Sequence, residues 1–529
     1  MKRIPSLFLI MALALPALAG CIQPGQAATP FDALARWVPA DAEITFFLDL
    51  KPAGDPGRHW DRIRSHMEAN PAGQEALHFI FHEFRIDEYG LENVLLGPAV
   101  VWQTEGYGPS RRVVAQVGDE AATEDALLRY FEHIEWEQEE HEGRTLYYEQ
   151  NLDSWQRRER IIWTVRDGLL FVSYDYGHGS IEQAQEWLDL DQAQSLAALP
   201  AWRTLRDRLP PAPMGLIFFD VAAQMRRNPP APGDTSLSAA MNRQIVATAL
   251  AAVPEEQGMR VDIVAQVALQ EDAPAELRAL FDPPTVDPAA WSRLPAGAAY
   301  AFFAHDAPTF WPVLKEMFNL EALDQLRDLV GLDLEADLAA ADGPLSGDFA
   351  LSVTPPLPDQ PISQGLPAGQ LLILARGTSE SQVADLQAAM ERRGAVFGPR
   401  EVEGARLQVQ AGTAPSGYAV SYGFDGDVFL FGSSPDVVGQ AIAAERRREG
   451  LVTMPTFQAA QAALPADSSF VAYFNCGPLV TLIKANRTEE QYQRTPENRL
   501  LESFDAIAFG LDLAPDRFEG VIYFFVGHD

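Results

Sequence analysis

The 529-residue chain is poor in cysteine, holding only Cys21 and Cys476. A framework of several disulfides is excluded, and once Cys21 is modified no intrachain bridge remains, so stability must come from buried apolar surface. Basic residues are scarce too: 40 Lys and Arg stand against 74 Asp and Glu, a formal charge of -34. Such a surface opposes nucleic acid and anionic lipid head groups, and no nucleic-acid partner is expected. After the first 21 residues no apolar run approaches the ~20 residues of a spanning helix. Motifs of catalysis are missing as well. There is no Walker loop, no dinucleotide glycine fingerprint and no Gly-x-Ser-x-Gly elbow. Ser180, in Gly177-His178-Gly179-Ser180, reads as a turn entering a helix cap, and Ser346, in Gly343-Pro344-Leu345-Ser346-Gly347, lacks the second glycine spacing. The expectation is a protein that is not an enzyme, with no catalytic residue and no cofactor.

What is present begins at the amino terminus. Lys2 and Arg3 precede an apolar stretch from Leu7 to Leu15, which Pro16 interrupts too soon for a membrane span, and Leu18-Ala19-Gly20-Cys21 follows. This order reads as a secretion signal, and its last four residues resemble the lipobox of bacterial lipoproteins. That resemblance implies cleavage before Cys21 and acylation of its thiol and new amino terminus. Several acyl chains on one residue anchor a protein stably without crossing the bilayer. Residue 22 is Ile, not the Asp that tends to mark inner-membrane retention in Gram-negative lipoproteins, so the resemblance points to the outer membrane, facing the periplasm. Residues 1–20 are expected as the signal peptide and 21–34 as a lipidated tether. The partners implied are the membrane, through the anchor, and an envelope protein of unknown identity.

One pattern organises the rest. Val38-Pro39-Ala40-Asp41 leads through a strand to Phe46-Phe47-Leu48-Asp49, and related stretches start at Pro210, Pro295 and Pro465. Counted from each proline, position +8 is aromatic (Phe47, Phe218, Phe303, Tyr473) and position +10 polar (Asp49, Asp220, His305, Asn475). Pro39 and Pro295 are 256 residues apart and Pro210 and Pro465 are 255, the spacing of two tandem copies. Proline sets the turn, alternation suits a half-buried strand, and the aromatic supplies core area. The polar residue at +10 fits a strand end or helix cap rather than a metal site, because it varies among Asp, His and Asn. Short strands with turns, broken by helices and without regular βαβ alternation, give an α+β expectation: two tandem homologous halves, each a mixed, largely antiparallel sheet with packed helices. The halves are placed at 35–270 and 291–529, joined by a proline-rich linker at 271–290. Within the first half, 237–252 reads as a helix.

The Leu/Val-Pro-Ala-Asp opening, the aromatic strand after it and the secretion signal together resemble a bacterial domain-of-unknown-function family of extracytoplasmic, membrane-anchored proteins. The resemblance covers most of residues 35–526 and implies location and fold type, with no catalytic residues to carry over.

Three further features invite a site. His78 and His82 stand one helical turn apart, a spacing able to hold a transition metal if a third ligand such as His66 converges, but the His-Glu-x-x-His order is absent. The acidic run from Glu132 to Glu142 lacks the spaced Asp/Asn and Gly of a calcium loop and fits an exposed hairpin. No metal site is assigned to either. Eight of the ten tryptophans (37, 60, 102, 136, 155, 163, 187, 202) lie in the first half, marking either a partner or ligand surface or a core filled differently from the other. The function expected is a lipid-anchored, non-catalytic scaffold or partner-binding protein of the envelope. The alternatives are a carrier or sensor of an apolar ligand and, further off, a hydrolase.

Overall fold

The computed structural model describes residues 30–526, apart from 75–96, 105–109, 150–158, 177–180, 232–236, 312–332, 357–368, 412–418 and the single positions 43, 50, 72, 131, 133, 212, 230, 271, 272, 274, 282 and 341. Contacts divide the chain into two units, residues 10–268 and residues 269–529.

The first unit contains β1 (Ile44–Asp49), β2 (Pro98–Thr104), β3 (Ser110–Gln116), β4 (Trp136–His141), β5 (Arg144–Glu149), β6 (Glu159–Arg166), β7 (Leu169–Tyr176), β8 (Gly215–Phe219), β9 (Ile245–Glu255) and β10 (Gly258–Val267). Hydrogen bonding runs β10-β9-β8-β1-β2-β3-β7-β6-β5-β4. The second unit contains β11 (Tyr300–His305), β12 (Asp348–Thr354), β13 (Gln370–Arg376), β14 (Phe397–Val402), β15 (Ala405–Gln410), β16 (Ser421–Asp425), β17 (Val428–Gly432), β18 (Phe470–Asn475), β19 (Ala506–Ala514) and β20 (Arg517–Phe525). Its order is β20-β19-β18-β11-β12-β13-β17-β16-β15-β14.

The expected α+β arrangement, two tandem homologous halves each a mixed, largely antiparallel sheet with packed helices, is corrected by this pairing. Within each unit the described pairings are antiparallel throughout, so neither set of strands is mixed. Parallel neighbours need crossovers of a dozen or more residues, whereas many consecutive strands here are joined by two-residue turns that close hairpins. Alternation tells which segments are strands and which face is buried. It does not tell which strand edges meet, so the strand order within each unit is not written in local pattern.

Turn chemistry explains several of these hairpins. Glu142-Gly143 joins β4 to β5 with φ of 49° and 76°, and Glu403-Gly404 joins β14 to β15 with φ of 48° and 78°. Two successive positive φ values define the turn whose twist matches paired strands, and glycine accepts the second of them without strain. The stretch read as a helix over 237–252 is helical only from Leu237 to Gln244 and then becomes β9. Its alanines favour a helix locally, but β9 is buried along most of its length between β8 and β10, and ladder bonds on both edges outweigh propensity.

In the first unit the core gathers Phe31, Leu34, Val38, Phe47, Trp102, Phe171, Trp187, Trp202 and Phe218, with the helices Pro30–Leu34, Ile181–Leu188 and Pro200–Arg206 laid on the sheet. The second core repeats the scheme with Trp291, Phe303, Leu372, Phe429's neighbours Val428 and Leu430, Phe457 and Tyr473, under the helices Pro435–Arg447 and Pro455–Ala463. The proline-rich segment expected as a linker falls at the start of the second unit and is ordered locally: Ala275–Leu280 is helical, with Leu277, Leu280 and Phe281 buried.

Candidate functional site

The four recurring strands place their +8 aromatics deep in the two cores. Phe47, Phe218, Phe303 and Tyr473 are each no more than 1% exposed. β1 lies beside β8, with Thr45 opposite Phe218, and β11 lies beside β18, with Ala301 opposite Tyr473. Each pair of rings holds a third ring from a helix. Trp202 sits 5.1 Å from Phe47 and 5.5 Å from Phe218, and Phe457 sits 5.9 Å from Phe303 and 5.1 Å from Tyr473. The pattern is structural, since rings at these separations leave no room for a ligand.

The polar +10 residues take four different local roles. Asp220 caps the helix Val221–Arg227, its Oδ1 accepting from the Ala223 N–H at 2.7 Å. Asn475 precedes the helix Cys476–Asn486 without a side-chain cap bond. Asp49 accepts from the Lys51 N–H at 3.1 Å, and burial raises its carboxyl above the usual range against that bond. His305 pairs across the sheet with Asp348, Nδ1 to Oδ1, at 2.7 Å. These four do not converge on a site.

From Trp136 on, the acidic run forms β4 and its turn, and three of its acids are engaged locally. Glu139 accepts from Gln185 at 2.9 Å, Glu140 from Thr145 at 3.1 Å, and Glu142 pairs with Arg166 at 3.2 Å. His78, His82, Ser180, Trp155 and Cys21 lie outside the described residues, and His66 stands in the last turn of the helix Asp55–Ala69. Among the described residues no group of three or more metal-ligating side chains converges. Ser346 accepts from the Gln382 amide at 3.2 Å. Cys476 is 1% exposed, and burial, with Asp505 beside it, pushes its thiol far above the usual range, which suits an inert core residue.

The surplus tryptophans fill the first core. Trp60, Trp102, Trp163, Trp187 and Trp202 are buried, and Trp37 and Trp136 half-buried. Trp187 meets Trp102 edge-on at 5.1 Å and Phe171 at 5.5 Å, lies under the Arg112 guanidinium, and donates its Nε1–H to the Trp37 carbonyl at 3.0 Å.

Beside this cluster a cleft of about 390 Å³ opens in the first unit, lined by Ala33, Leu34, Arg36, Trp37, Gln116, Val117, Asp167, Gly168, Leu169, Leu190 and Gln192. Trp37 forms its inner wall, held edge-on against Phe171 at 5.0 Å. The Asp167-Gly168 turn forms the opposite lip: Gly168 donates its N–H to Glu120 at 2.6 Å and accepts from the Val117 N–H at 2.9 Å. Asp167 is neutralised by Arg166 at 3.1 Å and Arg144 at 3.6 Å. Arg36 is exposed and has no ion-pair partner among the described residues, and the same holds for hydrogen bonds from the Gln116 and Gln192 carboxamides. Nothing in the sequence flagged this cleft, because its lining comes from four separate segments.

The corresponding positions in the second unit carry different side chains. Hydrogen bonds from Leu196 to Val38 and from Leu451 to Leu294 mark equivalent positions, so Arg293 stands where Trp37 does, and strand pairing sets Arg376 against Gln116 and Asp425 against Arg166. Arg293 bridges Asp425 at 3.4 Å and Glu445 at 2.6 Å, while Arg376 lies over Trp291 at 5.1 Å and donates to the Ala290 carbonyl at 2.8 Å.

A family model described as "Protein of unknown function (DUF3352)" matches residues 113–513, from β3 to β19 and thus more than half of the chain. The chain belongs to that family. Membership in DUF3352 carries no activity with it. No curated protein matches the chain. Among solved structures, crystal form IV of TP0453 is 10% identical over 43% of this chain and 80% of that one, with a TM-score of 0.26, and crystal form III is 9% identical over 48% and 88%, also at 0.26. Values this low carry no inference about fold or function. Among the described residues no helix is long and apolar enough to cross a membrane, a statement that does not bear on β-barrels.

Proposed function

We propose that this DUF3352 member is a lipid-anchored, non-catalytic binding protein of the bacterial envelope, held on the outer membrane by acylated Cys21 and engaging an envelope partner with its folded units. The observation that carries this reading is the amino-terminal order Lys2-Arg3, an apolar run, then Leu18-Ala19-Gly20-Cys21. A second observation supports it. Phe31 and Leu34 are buried in the first core, and Asp32 reaches the buried Arg206 at 3.6 Å, so the fold takes hold of the chain at Pro30. The segment between Cys21 and Pro30 spans at most about 30 Å when extended, so the anchor keeps the first unit close to the lipid surface. The acidic exterior fits a protein held by acyl chains rather than by basic residues.

Metabolic labelling with an alkynyl fatty acid tests the anchor. The wild-type chain should take the label and the Cys21→Ser chain should not. An unlabelled wild-type chain, or label that survives the substitution, overturns the reading.

A further inference from the structure

We infer that the cleft of the first unit is a binding site for the carboxyl end of an apolar peptide. This rests on the reading above of a partner-binding protein and names the chemistry that the partner presents.

The lining supplies three kinds of group. Leu169, Leu190 and Val117, with the half-buried Trp37 ring, form a wall for one or two apolar side chains. The Gln116 and Gln192 carboxamides each offer a donor and an acceptor, the complement of a peptide group, and neither makes a hydrogen bond among the described residues. Arg36 supplies a guanidinium at the rim. On a chain with formal charge -34, a guanidinium that makes no ion pair among the described residues is available to an anion from outside, and its planar fork suits a carboxylate. The acid in the lining, Asp167, is already held by Arg144 and Arg166. A volume of about 390 Å³ lies at the lower end of small-molecule sites, ~300–1,000 Å³, and admits a peptide end rather than a folded element.

The second unit supplies the independent observation. There the matching positions carry the chain's own Arg293 and Arg376, tied to Asp425, Glu445 and the Ala290 carbonyl. Replacing Arg376 by the shorter Gln116, and Arg293 by Trp37, removes this charged plug and leaves an opening whose surface is amphipathic. The two units keep one strand order and differ here in whether the matching side chains are paired within the protein.

The test is calorimetric titration of the full-length chain in detergent with Ala-Ala-Leu-Leu as the free acid, the same peptide as its C-terminal amide, and hexanoate. The free acid should bind, with at least tenfold loss for the amide and at least tenfold loss for Arg36→Ala. Gln116→Arg, which restores the residue found at the matching place in β13, should abolish binding while leaving the thermal midpoint unchanged. No heat from the free acid with wild-type protein overturns the proposal, as does undiminished binding by Gln116→Arg. Hexanoate binding as tightly as the peptide overturns the assignment to a peptide. Fatty-acid labelling of Cys21 in the same preparation separates the two readings: a labelled chain that ignores the peptide loses only the site, and an unlabelled chain that binds it loses only the anchor.

Discussion

The two units solve one packing problem with different side chains. Both place a helix ring between two strand rings, but the first uses Trp202 between Phe47 and Phe218, and the second uses Phe457 between Phe303 and Tyr473. Both bury the segment ahead of the first strand, but the first seals it with Trp37 and Trp187, the second with Trp291, Arg376 and the Arg293 ion pairs. The lesson is that the backbone scheme tolerates aromatic and charged solutions at matched positions, and that one of them leaves a cleft.

The sharpest way to break the comparison is to empty the ring slots. Truncating a buried aromatic leaves a cavity and costs roughly 3–5 kcal/mol. Trp202→Ala and Phe457→Ala should both lower the denaturant midpoint by amounts of that size, read by urea unfolding. A loss under about 1 kcal/mol in either unit would show that its ring is not part of the sandwich.

The charged plug comes next. Arg293 and Asp425 are both largely buried, with side-chain exposures of 12% and 19%. Removing the Arg293 cation leaves Asp425 with only the more exposed Arg446, at 3.6 Å, and takes away Glu445's partner at 2.6 Å, at a cost of about 2–3 kcal/mol. Arg293→Ala should therefore destabilise the second unit, whereas Trp37→Arg should not transfer the plug to the first, because residue 166 there is Arg where the second unit has Asp425. Equal stability of Arg293→Ala and wild type in chemical unfolding would sink this account.

Much of this was legible in the sequence and some was not. The turn–strand–aromatic spacing announced the four central strands, and the Glu142-Gly143 hairpin followed from alternation around Trp136. The helix read over 237–252 failed because alanine-rich β9 is buried on both faces and so carries no period-two signature. The strand order within each unit was hidden because edge pairing depends on long-range geometry. Eight tryptophans in one half were visible, but only packing decides between surface and core, and it puts five of them inside. The cleft was the least legible feature, since Arg36, Gln116, Asp167 and Gln192 are far apart in sequence and unremarkable singly.

Alkaline pH separates the matched ring positions 218 and 473 next. Burial pushes the Tyr473 hydroxyl up to about 12, with Cys476 and Asp505 adding to it and the bond with Thr456 opposing it, while the matching residue in the first unit is Phe218. The folded state holds the neutral phenol, whereas an unfolded tyrosine ionises near 10. The stabilisation is complete below pH ~10 and is lost as pH rises toward 12, about 2 kcal/mol over the window. Tyr473→Phe should flatten the fall of the unfolding midpoint between pH 10 and 12. An unchanged slope would assign the alkaline loss to other tyrosines.

The smallest effect probes the polar ends of the recurring strands. Asp220 and Asn475 occupy one place in the pattern, yet the first accepts a bond from the Ala223 N–H and the second makes no side-chain cap bond. Losing a bonded cap costs about 1 kcal/mol, and losing a residue that caps nothing should cost only a few tenths. Asp220→Ala should thus shift the unfolding midpoint measurably and Asn475→Ala barely. If the two substitutions cost the same, the polar residue contributes through the strand end it shares in both units, and the helix bond at Ala223 is incidental to why the pattern keeps a polar group there.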